Sequence, residues 1–230
     1  MTRTAIATLM ILGAVLPAAA LGQKIAPDPH VVEAAVAAGC QVPEEQTDVG
    51  VVAVLPGSDP SLHVVATLTG GIEEALGDLC VAVVRQAHGR SSLVAGLEGT
   101  LFPPATIPGM STPSLSVRPQ AFRVARDIAL FAVDVSDRYD STSTGVSGTT
   151  TLLFRVDGSR LQMVLSVQTA EITLDKDSGD EDRSSWSLTT ARRGGSRFAD
   201  ILATDAKRHV RRFVWDGTRY IEPRKEQDGR

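Results

Sequence analysis

The chain has 230 residues, 43% of them hydrophobic and only 4% aromatic, with 23 Lys and Arg against 27 Asp and Glu for a net charge of −4. That balance supplies no basic field for phosphates, so nucleic acid is excluded as the expected partner. The length suffices to bury a core as one domain or two small ones, and so few aromatic rings leave no platform for stacking sugars.

The first 22 residues read as a signal peptide. Arg3 is the positive n-region, Ala5 to Ala20 the apolar h-region, and Ala20-Leu21-Gly22 offers small residues before cleavage at Gln23. Pro17 interrupts the run, which is also short for a membrane span. No later stretch is long and apolar enough to cross a membrane, so none is expected after signal removal. The scarcity of lysine and the abundance of alanine suit a GC-rich bacterial genome, which points to a periplasmic or secreted bacterial protein.

Cys40 and Cys80 are the two cysteines. In an exported chain such a pair reads as a disulfide. It would close a loop of about 41 residues and contribute on the order of 4 kcal/mol. A redox pair would call for a C-x-x-C spacing, which the chain lacks.

Residues 23–98 read as a helix followed by a first β sub-unit. Asp28-Pro29 opens the helix as N-cap and N1, His30 to Ala38 continues it, and Gly39 stands at C′. β-Branched runs then predict strands over Val49–Leu55, Leu62–Leu68, Leu79–Ala87 and Ser91–Leu97, with a turn at His88-Gly89. Residues 99–119 hold five prolines (Pro103, Pro104, Pro108, Pro113, Pro119), which do not sit in central strands, so this segment reads as a surface connection.

Residues 120–222 read as an antiparallel β region, and 223–230 as a charged tail. Strands are expected over Asp127–Ser136, Arg183–Arg192, Phe198–Thr204 and Lys207–Trp215. Asp137 to Thr149 is expected as a long loop whose Asp137, Tyr139 and Asp140 could meet a ligand. The clearest hairpin lies in Thr150–Gln168, around Asp157-Gly158. With those two residues as the turn, Val156 faces Ser159, Phe154 faces Leu161, and Leu152 faces Met163. On the other face Arg155 meets Arg160 and Leu153 meets Gln162.

Three stretches share a strand–strand–turn–strand plan, with turns AHGRS at Ala87–Ser91, VDGSR at Val156–Arg160 and WDGTR at Trp215–Arg219. The third would pair Phe213 with Tyr220 and Arg211 with Glu222. These units resemble single blades of secreted bacterial β-repeat proteins of the FG-GAP/VCBS kind, over roughly Leu62 to Glu222. The chain departs from that family in lacking a regular D-x-N-x-D-G calcium loop in each unit. The expected fold is mainly β: antiparallel hairpins in a sandwich, an open barrel or a partial propeller-like repeat, with one short N-terminal helix.

Candidate chemistry is sparse. Asp175, Asp177, Asp180 and Asp182 alternate on an acidic stretch, and Ca²⁺ takes six to eight hard oxygen ligands. The order of Gly179 and Asp180 departs from the usual calcium loop, and a solvated acidic loop explains the residues as well; no cofactor is otherwise expected. His30, His63, His88 and His209 show no metal-ligand spacing. Gly145-Val146-Ser147-Gly148 is one residue short of a nucleophile elbow. Lys207, Arg208, Arg211 and Arg212 form a basic stretch that suits a protected sheet edge. Arg208 and Arg212 would share one strand face, His209 and Arg211 the other. The residues point to an exported, non-enzymatic β-rich protein acting by surface or ligand binding, with a protein or cell-envelope component as its partner. The alternative is a secreted hydrolase with dispersed loop carboxylates.

Overall fold

The computed structural model describes Cys40, Leu101 and residues 49–54, 62–69, 78–88, 90–97, 114–192 and 194–223. The expected signal peptide, the Asp28–Ala38 helix, most of the proline-rich connection and the charged tail lie outside these residues. Within them the chain is mainly β, without a helix.

Twelve strands follow one another: β1 Val49–Val54, β2 Leu62–Thr69, β3 Asp78–Ala87, β4 Arg90–Leu97, β5 Ser114–Arg123, β6 Ala129–Asp140, β7 Thr144–Asp157, β8 Arg160–Asp175, β9 Glu181–Ala191, β10 Asp200–Asp205, β11 Val210–Trp215 and β12 Tyr220–Ile221. They form one open sheet, antiparallel except at a two-residue contact where Gly96 and Leu97 of β4 run parallel to Arg160 and Leu161 of β8. The branch point is β8. One of its edges pairs with β7 along the whole length. The other edge meets β4 at its start and β9 at residues Ala170–Leu174.

The sheet stacks on itself in three layers, with β6, β7 and β8 in the middle. Phe131, Val133, Leu152 and Phe154 point to one side and share a core with Val64, Val81 and Ala95 of β2–β4. Leu130, Ala132 and Leu153 point the other way and share a second core with Leu188, Ile201 and Phe213 of β9–β11. A strand covered on both faces cannot alternate apolar with polar. The sequences Leu130-Phe131-Ala132-Val133 and Leu152-Leu153-Phe154 follow from this, and all seven side chains are buried. Phe131 stacks on Phe154 with centroids 5.5 Å apart. Burial of a side chain such as Phe154 stabilises the fold by about 2–3 kcal/mol.

β8 carries two more residues than β7 because its pairing register slips twice, at Val164 and at Thr169. Each slip is a bulge that adds local twist. That twist lets the outer edge of β8 pass from the first layer to the third.

Cys40 and Cys80 are disulfide-bonded, with Cα atoms 5.4 Å apart. The bond sits on the outer side of the first layer, where Cys40 packs with Val65, Ala82 and Val84.

The three sequence units each form a three-stranded meander, β2–β4, β6–β8 and β10–β12, one in each layer. Their turns differ. Ala87 pairs with Arg90, and His88 has φ 53°. In the middle hairpin the pairing is Asp157 with Arg160, Val156 with Leu161 and Phe154 with Met163. Near the turn the expected partners, with Phe154 opposite Leu161, are two residues off along β8, because the turn sits one residue later. The turn residues are Gly158 and Ser159, and the positive φ falls on Gly158 alone, at 63°, the pattern of a type II′ turn. In the third hairpin Trp215 pairs with Tyr220, not Phe213, and four residues form the loop. Arg211 and Glu222 still meet, as a 2.8 Å ion pair.

Three further expectations are corrected. The connection predicted up to Pro119 ends earlier: β5 begins at Ser114 and pairs with β6 alone among the described residues, its register shifting between Arg118 and Phe122. A strand with one partner tolerates a proline that a central strand would not. The long loop expected over Asp137–Thr149 is a tight hairpin, since Asp140 pairs with Gly145 and Ser141 N–H donates to Thr144 O at 2.8 Å. The strand expected from Lys207 starts at Val210, because Ala206–His209 is a loop in which Arg208 has φ 66°. Arg208 therefore shares no strand face with Arg212.

Candidate binding cleft

The middle layer extends beyond the third layer as a ribbon made from the ends of β6, β7, β8 and β9. Side chains at paired positions point to the same face, so strand register alone defines two rows across it. In one row Arg138 lies beside Ser147, then Ile172, then Arg183. In the next row Asp140 lies beside Gly145, then Leu174, then Glu181. The two rows are about 7 Å apart along the strands, and each spans about 14 Å across them.

These eight positions, with Val146, line an open cleft of about 230 Å³. Its floor is Ile172 and Leu174, both half-buried, and its walls are charged. Each wall carries one base and one acid. Arg138 Nε donates to Asp140 Oδ2 at 2.7 Å. Arg183 pairs with Glu181 on the opposite wall. Gly145 keeps the floor low: a Cβ there would stand 3.1 Å from Asp140 Oδ1 and 3.7 Å from Leu174 Cβ.

Lys176 ties the two hairpin tips together. Its N–H donates to Ser143 O at 2.8 Å, its Nζ donates to Ser141 O, and its Nζ lies 3.2 Å from Asp140 Oδ1. The hydrogen bonds from Arg138 and Lys176 hold the Asp140 carboxyl below its ordinary value, so it stays ionised.

Further into the fold, the same face carries a polar ladder. Arg118 grips Asp134 through Nε and Nη2 at 2.7 and 2.8 Å. Thr151 Oγ1 donates to Asp134 Oδ1 at 2.6 Å, accepts from Arg118, and lies 2.8 Å from Thr169 Oγ1. Thr169 is one of the two bulged residues of β8, so an extra residue completes the ladder. Between the apolar core and the charged cleft, every polar group of this ladder has a partner.

The acidic residues singled out from the sequence sit at the β8–β9 turn. Asp175 Oδ1 accepts the N–H groups of Asp177 and Ser178 at 2.9 and 3.2 Å, and these two bonds, Ser178 first, lower its pKa. Gly179 N–H donates to Asp175 O at 2.8 Å. Asp182 pairs with Thr173 and so faces away from Glu181 and Arg183. Among the described residues no three acidic, histidine or cysteine side chains gather in a metal-sized group. Asp137 and Tyr139 face away from Asp140, on the other side of the ribbon.

The histidines are dispersed, with His63 in β2, His88 at a turn and His209 in the β10–β11 loop. His209 N–H and Nδ1 both contact the Asp205 carboxylate at 2.7 Å. Partial burial of Asp205 opposes ionisation, but the His209 hydrogen bonds prevail and lower its pKa.

Of the cleft residues the sequence singles out Asp140, as a ligand contact, and Gly145, Val146 and Ser147, within the incomplete elbow. The signal for the rest is an i, i+2 charge pair on two strands, Arg138-x-Asp140 and Glu181-x-Arg183. Comparison of the chain with protein families, curated proteins and solved structures returns no match.

Proposed function

We propose that this is an exported, non-enzymatic β-rich protein of the bacterial periplasm or cell exterior, and that it acts by binding another polypeptide at the β6–β9 cleft. One observation carries the reading: Ile172 and Leu174 are partly open to solvent between two walls whose ions are already paired within each wall. An apolar floor with a polar rim is the anatomy of a protein contact. At about 230 Å³ and open, the cleft is smaller than the enclosed pockets that hold small molecules.

The rival hydrolase would need a carboxyl kept protonated as general acid. Asp140 is held ionised by Arg138 and Lys176, which favours binding over acid catalysis at this cleft.

A photocrosslinking residue at position 172, in cells exporting the chain, tests the reading. A discrete crosslinked species that is lost in Leu174→Asp is the expected result. No crosslink at position 172, or turnover in a hydrolase panel that Asp140→Asn abolishes, would overturn it.

A further inference from the structure

We infer that the polypeptide received by the cleft is a second copy of this chain, packed face to face about a two-fold axis. The inference rests on the cleft being the binding surface and adds the identity of the occupant.

The charges of the cleft stand in two rows. Arg138 and Arg183 stand in one, Asp140 and Glu181 in the other. Consider a two-fold axis lying in the plane of the interface, across the strands and midway between the rows. It exchanges the rows while keeping each strand over its own counterpart. Arg138 then lies over the partner's Asp140, and Arg183 over the partner's Glu181. By symmetry each contact occurs twice. Ile172 falls over the partner's Leu174, which closes the apolar floor on itself.

An axis parallel to the strands keeps the rows in place and sets Arg138 against the partner's Arg183, which like-charge repulsion disfavours. Charge placement therefore selects one symmetric arrangement. It also preserves the ion pairs within each wall, so Glu181 gains a second cation beside Arg183, and Asp140 a third beside Arg138 and Lys176. Dimerisation of this kind weakens as salt screens the walls.

The test uses the mature full-length chain in sedimentation velocity, from about 1 μM to about 1 mM. The wild type is expected to dimerise in this range. Arg138→Glu places acid over acid in a symmetric pair, and Asp140→Arg places base over base. Each variant alone is expected to dimerise at least about 10-fold more weakly, since each change is felt twice. Mixed one to one, the two variants are complementary at both contacts and are expected to form a heterodimer. Damage to folding would not be repaired by mixing, so restoration in the mixture is the deciding result. A wild type that stays monomeric to about 1 mM, or a mixture that stays monomeric while the wild type dimerises, overturns the inference. If the position-172 crosslink has the mass of this chain joined to a different protein, self-association is wrong and the binding reading stands. If no crosslink forms, both fall.

Discussion

Arg118 and Asp134 are joined by two parallel hydrogen bonds, 2.7 and 2.8 Å long, from β5 to β6. The Asp134 side chain is 13% exposed and that of Arg118 32%. The pair thus sits at the border between the second core and solvent. Bidentate geometry makes it stronger than an ordinary surface ion pair. Removing one partner strands the other.

Asp134→Ala is therefore expected to cost about 3 kcal/mol, because Arg118 and Thr151 both lose an acceptor in a largely dry site. Arg118→Met combined with Asp134→Leu is expected to recover most of that loss, since Thr151 keeps Thr169 as its partner. Urea denaturation of the two variants checks both values. Equal losses would show that the site stabilises through its shape, not its charge pairing.

The middle hairpin turn separates two neighbouring residues. Gly158 has φ 63° and nothing within 4 Å of an added Cβ, so Gly158→Ala meets only backbone strain, about 1 kcal/mol. Asp157 is a strand residue opposite Arg160, so Asp157→Ala is expected to stay within about 0.5 kcal/mol. A larger loss for Asp157 than for Gly158, measured by thermal unfolding, would contradict the observed turn.

Reduction of Cys40–Cys80 releases a loop that the sequence separation of 40 residues closes. The expected loss is about 4 kcal/mol. It should appear as a lower urea midpoint in reductant, and Cys40→Ala with Cys80→Ala should show the same midpoint with or without reductant.

Two groups give opposite pH signatures. The Asp216 carboxylate accepts backbone hydrogens from Arg219 and Thr218, which hold its pKa below 3.8. Its contribution is fully present above pH 3.8 and is lost as pH falls through the lower folded value. The stability gap between wild type and Asp216→Asn is therefore expected to close in acid below that pH. Tyr220 behaves the other way. Burial, then the charge of Asp200, raise its pKa above 10.0, and its hydroxyl donates to Ala199 O at 2.9 Å. Its contribution is present below pH 10.0 and is lost as pH rises through the higher folded value. Tyr220→Phe is expected to be less stable at neutral pH by about 1 kcal/mol and to lack this alkaline loss. Melting temperatures across the two ranges check both.

The strands of the first layer were legible because β-branched runs such as Val64-Val65 and Val81-Ala82-Val83-Val84 have few other uses. The disulfide was legible from the cysteine count. Register was not, because an Asp-Gly pair fits two turns one residue apart, and what separates them is that Asp157 lacks the positive φ a type I′ turn would give it. Layering was hidden too: Leu130 and Phe131 look alike in sequence, yet they belong to different cores. The cleft was the least legible part. Arg138-x-Asp140 and Glu181-x-Arg183 become facing walls only after β7 and β8 are laid between them.

The passing of β8's outer edge from β4 to β9 sets an order of events during synthesis. Val64, Val81 and Ala95 emerge first, but their core needs Phe131, Leu152 and Leu161. Leu130 and Ala132 must in turn wait for Ile201 and Phe213. Neither core can close early, because every layer depends on partners distant in the chain. A nascent chain of this design stays open while most of it is made.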